Sequence, residues 1–312
     1  MIQTRSIPLS ALELSAAMRE ALPYDEKRLD RVLRVDERHG LVEVQAGTSW
    51  KAIAANLRPG DPHAAAMRTT LPTVGESVSS NTAGPDGRPA ISHVESITLV
   101  TPGGELRRIS RTANRELFAL VAGGQGLFGA LYSVTLDIGS MTRTVNEVAA
   151  AGAPSPAPEA GPSWPLQLLL PPETLDAFLA DARECCEGWR LPLQRVDVRR
   201  THEDKDSFLR WARREYAAVT LHLAAPPVLG VAVRTTQLRR ELLDAAIARG
   251  GSFPVWCAFD ATREQVEACY PQLRSFLAEK RRVDPTEKLT NAWYRHYRNL
   301  FARGTCEVRF AS

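Results

Sequence analysis

The chain has 312 residues, 44% hydrophobic and 24% charged, with a formal net charge of +3. That length can bury a sizeable core and favours two domains over one, and the composition is that of a soluble globular protein. The small, mixed charge argues against a nucleic-acid partner, no apolar run approaches the roughly 20 residues of a membrane span, and MIQTRSIPLS lacks the layout of a secretory signal.

Ser10 to Glu20 carries Leu12, Leu14, Ala16 and Met18 with two glutamates and reads as a helix. Leu29 to Gln45 reads as two short strands around a His39-Gly40 turn, and Ser49 to Leu57 as a helix closed by Pro59-Gly60. His93 to Val100 alternates as a strand, Pro102-Gly103-Gly104 turns, and Glu105 to Ile109 returns. Asn114 to Val121 predicts a short helix, and Leu131 to Ile138 a half-buried strand. Residues 149–165 are rich in Pro, Ala and Gly without periodicity, a linker. Beyond it come a helix over 172–189, strands over 193–199 and 217–223, a helix over 233–249 ended by Gly250-Gly251, and a helix over 262–281 capped by Thr262. On β-alternation His222 faces away from Leu221 and Leu223. This order predicts an α+β layer.

Five cysteines (Cys185, Cys186, Cys257, Cys269 and Cys306) form no disulfide framework. They fit a reducing cytoplasm, and the Cys185-Cys186 pair reads as ordinary packing because neighbours on a helix point apart. No spaced Cys/His cluster suggests a metal. The sequence carries no signal of oligomeric state.

Three segments carry chemistry. The first, LPTVGESVSSNTAG over 71–84, combines small residues that let backbone approach a flat ligand with Ser and Asn donors. It is followed by HVESITLVTPGGEL. The second, AGGQGLFGALYSVTL, packs four glycines ahead of a strand. The third runs RRVDPTEKLTNAWYRHY. Each also has a plain reading, as a surface loop, a tight turn and a basic helix end.

Together these segments resemble the vanillyl-alcohol oxidase (p-cresol methylhydroxylase-type) flavoenzymes, and the ending is similar to sugar-alcohol and decaprenylphosphoryl-ribose oxidases. The resemblance implies an α+β fold: a p-cresol methylhydroxylase-type FAD-binding domain, N-terminally truncated, plus an α+β cap domain with an antiparallel sheet. The implied division is 1–145 for the FAD-type domain, 146–165 for a linker, 166–283 for the cap and 284–312 for a segment returning to the first domain. By position it implies FAD contacts from Thr73, Gly75, Ser77, Ser80, Asn81, Gly84, Val94, Gly123, Gly124, Gly126, Gly129 and Asn291. Tyr294, Lys288 and His93 become the candidate catalytic groups. His202 and His222 fall in the cap sheet. Residues 71–84 and 121–130 are expected side by side, lining one cleft between the two domains.

One part of the pattern is missing. The family's Gly-rich pyrophosphate loop precedes the LDRV-like strand, where this chain reads RSIPLSALELSAAMRE without a glycine. Neither His nor Cys occurs before His39, so any bound FAD is non-covalent there. Either the natural start lies upstream or the chain has shed its cofactor. Two functions follow: an FAD-dependent oxidoreductase removing hydride from an alcohol or amine carbon of a polyol- or sugar-like small molecule, or a flavin-free relative acting as an isomerase, cyclase, lyase or binding protein. A structural or interaction module is a third.

Overall fold

The computed structural model describes residues 6–56, 73–84, 86–139, 163–224, 230–257 and 259–302. The described chain divides into two compact units. Residues to 139 with 205–209 and 276–291 form the first; 163–204, 210–275 and 292–302 form the second. Of the segment 284–312, residues to Asn291 thus group with the first unit and those from Ala292 with the second. Residues 149–162 of the expected linker lie outside the described residues. Among the described residues no helix is long and apolar enough to cross a membrane.

The first unit is built on a five-stranded antiparallel sheet in the order β1-β2-β5-β3-β4. Its strands are β1 (Val32–Asp36), β2 (Leu41–Gln45), β3 (Val94–Val100), β4 (Leu106–Ser110) and β5 (Ala130–Asp137). Gly40, at φ +66°, makes the β1–β2 turn that the sequence indicates. Helix α1 (Ala11–Arg19) is capped by Ser10, whose hydroxyl accepts from the Glu13 amide. Its Leu14 and Met18 are buried against Leu29, Val100 and Ala130, each worth about 1.5–3 kcal/mol of burial. Helices α2 (Trp50–Asn56), α3 (Val74–Ser80) and α4 (Arg115–Val121) complete this part. Lys280 and Asp284 form a buried ion pair further along, and the Asp284 carboxylate also accepts from the amides of Lys288 and Leu289.

The second unit has a three-stranded antiparallel sheet, β6 (Ser163–Leu170), β7 (Leu193–Thr201) and β8 (Tyr216–Ala224), in the order β6-β8-β7. The strand starts at Ser163, inside the expected linker. Pro165 is tolerated because β6 lies at an edge, where a missing N–H costs no ladder bond. Helices α5 (Leu175–Gly188) and α6 (Val231–Ala248) pack together, and α6 packs on β6. Leu166, Leu168, Val219, Leu221 and Leu223 are buried, whereas Gln167, Thr220, His222, Asp197 and Arg195 stay half-buried. Cys185 and Cys186 do point apart: the Cys185 thiol donates to Glu241, Cys186 is buried, and burial pushes their thiols up to about 12 and about 11.

The single helix expected over 262–281 is two, α7 (Arg263–Cys269) and α8 (Leu273–Val283). Pro271 is the cause. It disfavours helical backbone in the residue before it, and Tyr270 leaves the helix at φ −132°, ψ 64°. Helix α9 (Ala292–Ala302) follows, and its Trp293 Nε1 and Tyr297 hydroxyl both donate to the Val255 carbonyl, at 3.1 and 3.0 Å.

Candidate functional site

The segment after residue 72 is not the open loop that its small residues suggest. Thr73 and Glu76 form a capping box, each side chain bonding the other's backbone amide, and Val74–Ser80 is a helix. The T-x-x-E spacing is the sequence signal for it. The amides of its first turn are all engaged: Val74 donates to the Thr48 carbonyl at 3.0 Å, Gly75 to the Ala46 carbonyl at 2.7 Å, and Ser77 to the Thr73 carbonyl at 2.9 Å. The Ser77 hydroxyl accepts from Trp50 Nε1 at 3.1 Å, and the Ser80 hydroxyl donates to the Glu76 carbonyl. Asn81, buried and left-handed at φ 50°, ends the helix and accepts the Ile91 amide on its Oδ1 at 3.0 Å. The Gly84 amide donates to the Arg88 carbonyl at 2.8 Å. Glu26 closes against Gly75: its Oε1 would lie 3.2 Å from a Cβ there. Burial, then the Glu76 and Asp25 carboxylates, pushes the Glu26 carboxyl up to about 7.

The glycine loop lies directly beside this helix, as the family resemblance implies. Gly123 donates to the Val78 carbonyl at 3.0 Å and Gln125 to the Ser79 carbonyl at 2.8 Å, while Asn291 Nδ2 donates to the Gln125 carbonyl at 2.8 Å. The four glycines differ. A Cβ on Gly124 would stand 2.1 Å from the Leu120 carbonyl oxygen, and one on Gly129 2.2 Å from Leu99 Cδ1, so the protein's own packing requires both. Gly126, at φ +71°, has nothing within 4 Å of a built Cβ. Beside it, Gln125 Nε2 is buried with no hydrogen-bond partner among the described residues. Sequence reasoning passed over Gln125, although it is the polar residue inside the glycine run.

The remaining candidates are placed elsewhere. Val94 opens β3, and its carbonyl accepts from the Arg111 guanidinium, which also holds Asp206 and the Ile91 carbonyl. His93 is buried, with Nε2 2.8 Å from Asp86 Oδ2. Lys288 Nζ donates to the carbonyls of Met18, Arg19 and Pro102 at 3.2–3.3 Å, so its three hydrogens tie α1 to the β3–β4 turn. Tyr294, in the second unit, is fully buried with the Arg298 guanidinium over its ring, 5.6 Å from the centroid. In that unit the sheet register pairs Thr220 with Gln167 on one side and Asp197 on the other, and His222 with Pro165 and Arg195. His222 Nε2 lies 2.9 Å from Asp197 Oδ2. The Arg195 guanidinium, followed by His222, holds the Asp197 carboxyl below its usual range. His202 Nδ1 lies 3.3 Å from Glu215 Oε1.

Residues 11–110 match the family of FAD binding domains. Over 127 residues the chain is also 29% identical to an uncharacterized oxidoreductase, ORF5 in the fasciation locus of Rhodococcoides fascians, a match covering 39% of this chain and 28% of that relative. The matched stretch thus spans less than a third of the relative's length. The first similarity is to a domain that binds FAD, and the second is to a protein named as an oxidoreductase. The orphaned Gln125 Nε2 and the open outer face of Gly126 fit FAD, because a buried donor without a partner is unfavourable until an acceptor reaches it. The first turn of α3 does not add to that fit, since its amides are already engaged.

Proposed function

We propose that the chain is an FAD-dependent oxidoreductase acting on a carbon that bears a hydroxyl or amine, with a polyol- or sugar-like small molecule as substrate. The observation that carries this reading is the orphaned Gln125 amide beside Gly126, on a loop bonded to α3 of the matched domain. FAD, when bound, accepts hydride from the substrate carbon. Gln125 Nε2 donates to it, Asn291 holds the Gln125 backbone in place, and Gly126 leaves room for close approach. The second unit serves as the substrate domain. Its half-buried Gln167, Thr220, His222 and Asp197 suit a ligand rich in hydroxyls. Among the described histidines, His222 has its side chain 21% exposed and its ring oriented by Asp197. His93 and Tyr294 are enclosed, and Lys288 is fully bonded to carbonyls.

A second reading has its own support. The engaged amides of α3 and the Glu26 and Glu76 carboxylates beside Gly75 disfavour an anionic pyrophosphate at that place, which favours a flavin-free relative. The visible spectrum of the purified protein, before and after incubation with FAD, separates the two. Flavin bands that weaken in Gln125→Ala support the oxidoreductase. A colourless protein that does not quench added FAD fluorescence overturns it.

A further inference from the structure

A cavity of about 570 Å³ lies wholly within the first unit, in the size range of small-molecule sites. It is walled by the β3–β4 turn with Arg107, the start of α4, Phe128 after the glycine run, and Arg282 and Val283 at the end of α8. Neither Gln125 nor Gly126 lines it, so it is not the face offered to FAD. Its floor is apolar. Leu120 and Phe128 are buried there, Leu117 and Val283 half-buried, and Phe276 meets the Phe128 ring edge-on with centroids 5.0 Å apart.

The rim carries charge of both signs. Arg107 places Nη2 and Nε on Glu105 Oε2, at 2.6 and 3.1 Å, and Arg282 Nη2 lies 2.7 Å from Glu279 Oε2. The Glu116 charge also bears on Arg282. That leaves Arg115, exposed and with no hydrogen bond or ion pair among the described residues. Three lining arginines against two lining glutamates leave one positive charge, which Glu279 offsets. Behind the wall, Lys288 reaches the Pro102 carbonyl and Arg19 lies against Gly104, both cationic. The buried Lys280–Asp284 pair next to Val283 is neutral as a unit.

A guanidinium without a partner, above an apolar floor, suits an apolar body that ends in a carboxylate. An aromatic ring covers such a floor with little loss of conformational freedom. Glu105 and Glu116 on the rim repel a second negative charge, which disfavours phosphates and dicarboxylates.

We propose that this cavity binds a small aromatic monocarboxylate. The ring lies on Leu117, Leu120, Phe128 and Val283, and the carboxylate accepts from the Arg115 guanidinium. The site belongs to the first unit alone and does not depend on flavin.

The test is isothermal titration calorimetry of the full chain with sodium naphthoate, against naphthamide of the same shape and a naphthalene dicarboxylate. Naphthoate is expected to bind saturably at one site per chain, and more tightly than either analogue. Arg115→Gln removes no hydrogen bond or ion pair among the described residues, and should weaken binding about fivefold. Glu116→Gln should tighten it, a gain that loss of folded protein cannot imitate. Gln125→Ala, on the flavin loop, should leave it unchanged. No saturable binding, equal affinity for either analogue, or full affinity in Arg115→Gln overturns the site. So does weaker binding in Glu116→Gln, or a loss in Gln125→Ala as large as that in Arg115→Gln. A colourless protein that binds naphthoate removes the flavin reading alone, and a yellow protein that does not bind it removes this one alone.

Discussion

Two neighbouring segments of the first unit, Thr73 to Gly84 and Gly123 to Gly129, are written in similar residues yet end in opposite states. In the first, the capping box, the carbonyls of Ala46 and Thr48 and the indole of Trp50 satisfy the polar groups that could have met a ligand. In the second, two glycines are filled by the fold's own packing, but among the described residues Gln125 Nε2 has no hydrogen-bond partner and nothing lies within 4 Å of a Cβ built on Gly126. A run of Gly, Ser and Asn therefore says what a segment could offer. Whether it is offered depends on what other parts of the chain bring to it.

Substitutions can break that comparison. The largest effect is expected for Gly129→Val, whose side chain would collide with Leu99 and stand 2.8 Å or less from the Val100 carbonyl. Overpacking of this kind costs about 1–3 kcal/mol and occasionally more, read as a lower urea midpoint, and wild-type stability would show that Gly129 is no packing glycine.

Glu26 supplies the next effect. Its carboxyl, ordinarily near 4.5, titrates near about 7 in the folded protein, so between those values the folded state holds more protons than the unfolded one. Stability should therefore fall as pH rises from about 4.5 to about 7, by up to about 3 kcal/mol for this group. Glu26→Gln should flatten that slope in urea unfolding curves; an equal slope in both proteins would assign it to other groups.

Gly126→Ala sharpens the contrast from the open side. The methyl meets no protein atom but must adopt φ +71°, a strain of about 1–2 kcal/mol. Flavin content per folded protein, measured by absorbance, should drop more than that small loss of stability explains. Unchanged content would make Gly126 a turn glycine only. The smallest effect belongs to Ser80→Ala, which loses one bond to the Glu76 carbonyl in its own helix. It should stay within about 0.5 kcal/mol of wild type and keep its flavin, whereas a clear loss of flavin would return α3 to the cofactor site.

Much of the architecture is legible in the sequence because it rests on local rules. Gly40 between two β-branched runs makes a hairpin, Ser10 and Thr262 cap helices, and Gly250 follows the end of α6 at φ +74°. Pro271 was just as readable as a break between α7 and α8, and Thr73 with Glu76 as a helix start; both signals were present where one long helix and a loop were expected. The alternation that sets His222 apart from Leu221 and Leu223 also fixes the polar side of the second sheet. By itself, then, the sequence determined the elements, their ends and the faces of the strands, since these follow from φ/ψ preference and side-chain period. Only the tertiary structure decided which donors are free. The acceptors that occupy the α3 amides come from Ala46 and Thr48, the carbonyls that hold Lys288 come from Met18, Arg19 and Pro102, and the partner of Asn291 is Gln125. Hydrogen bonds between residues so far apart in the chain leave no periodic trace, because satisfaction of a buried polar group is set by proximity in space and not by spacing along the backbone.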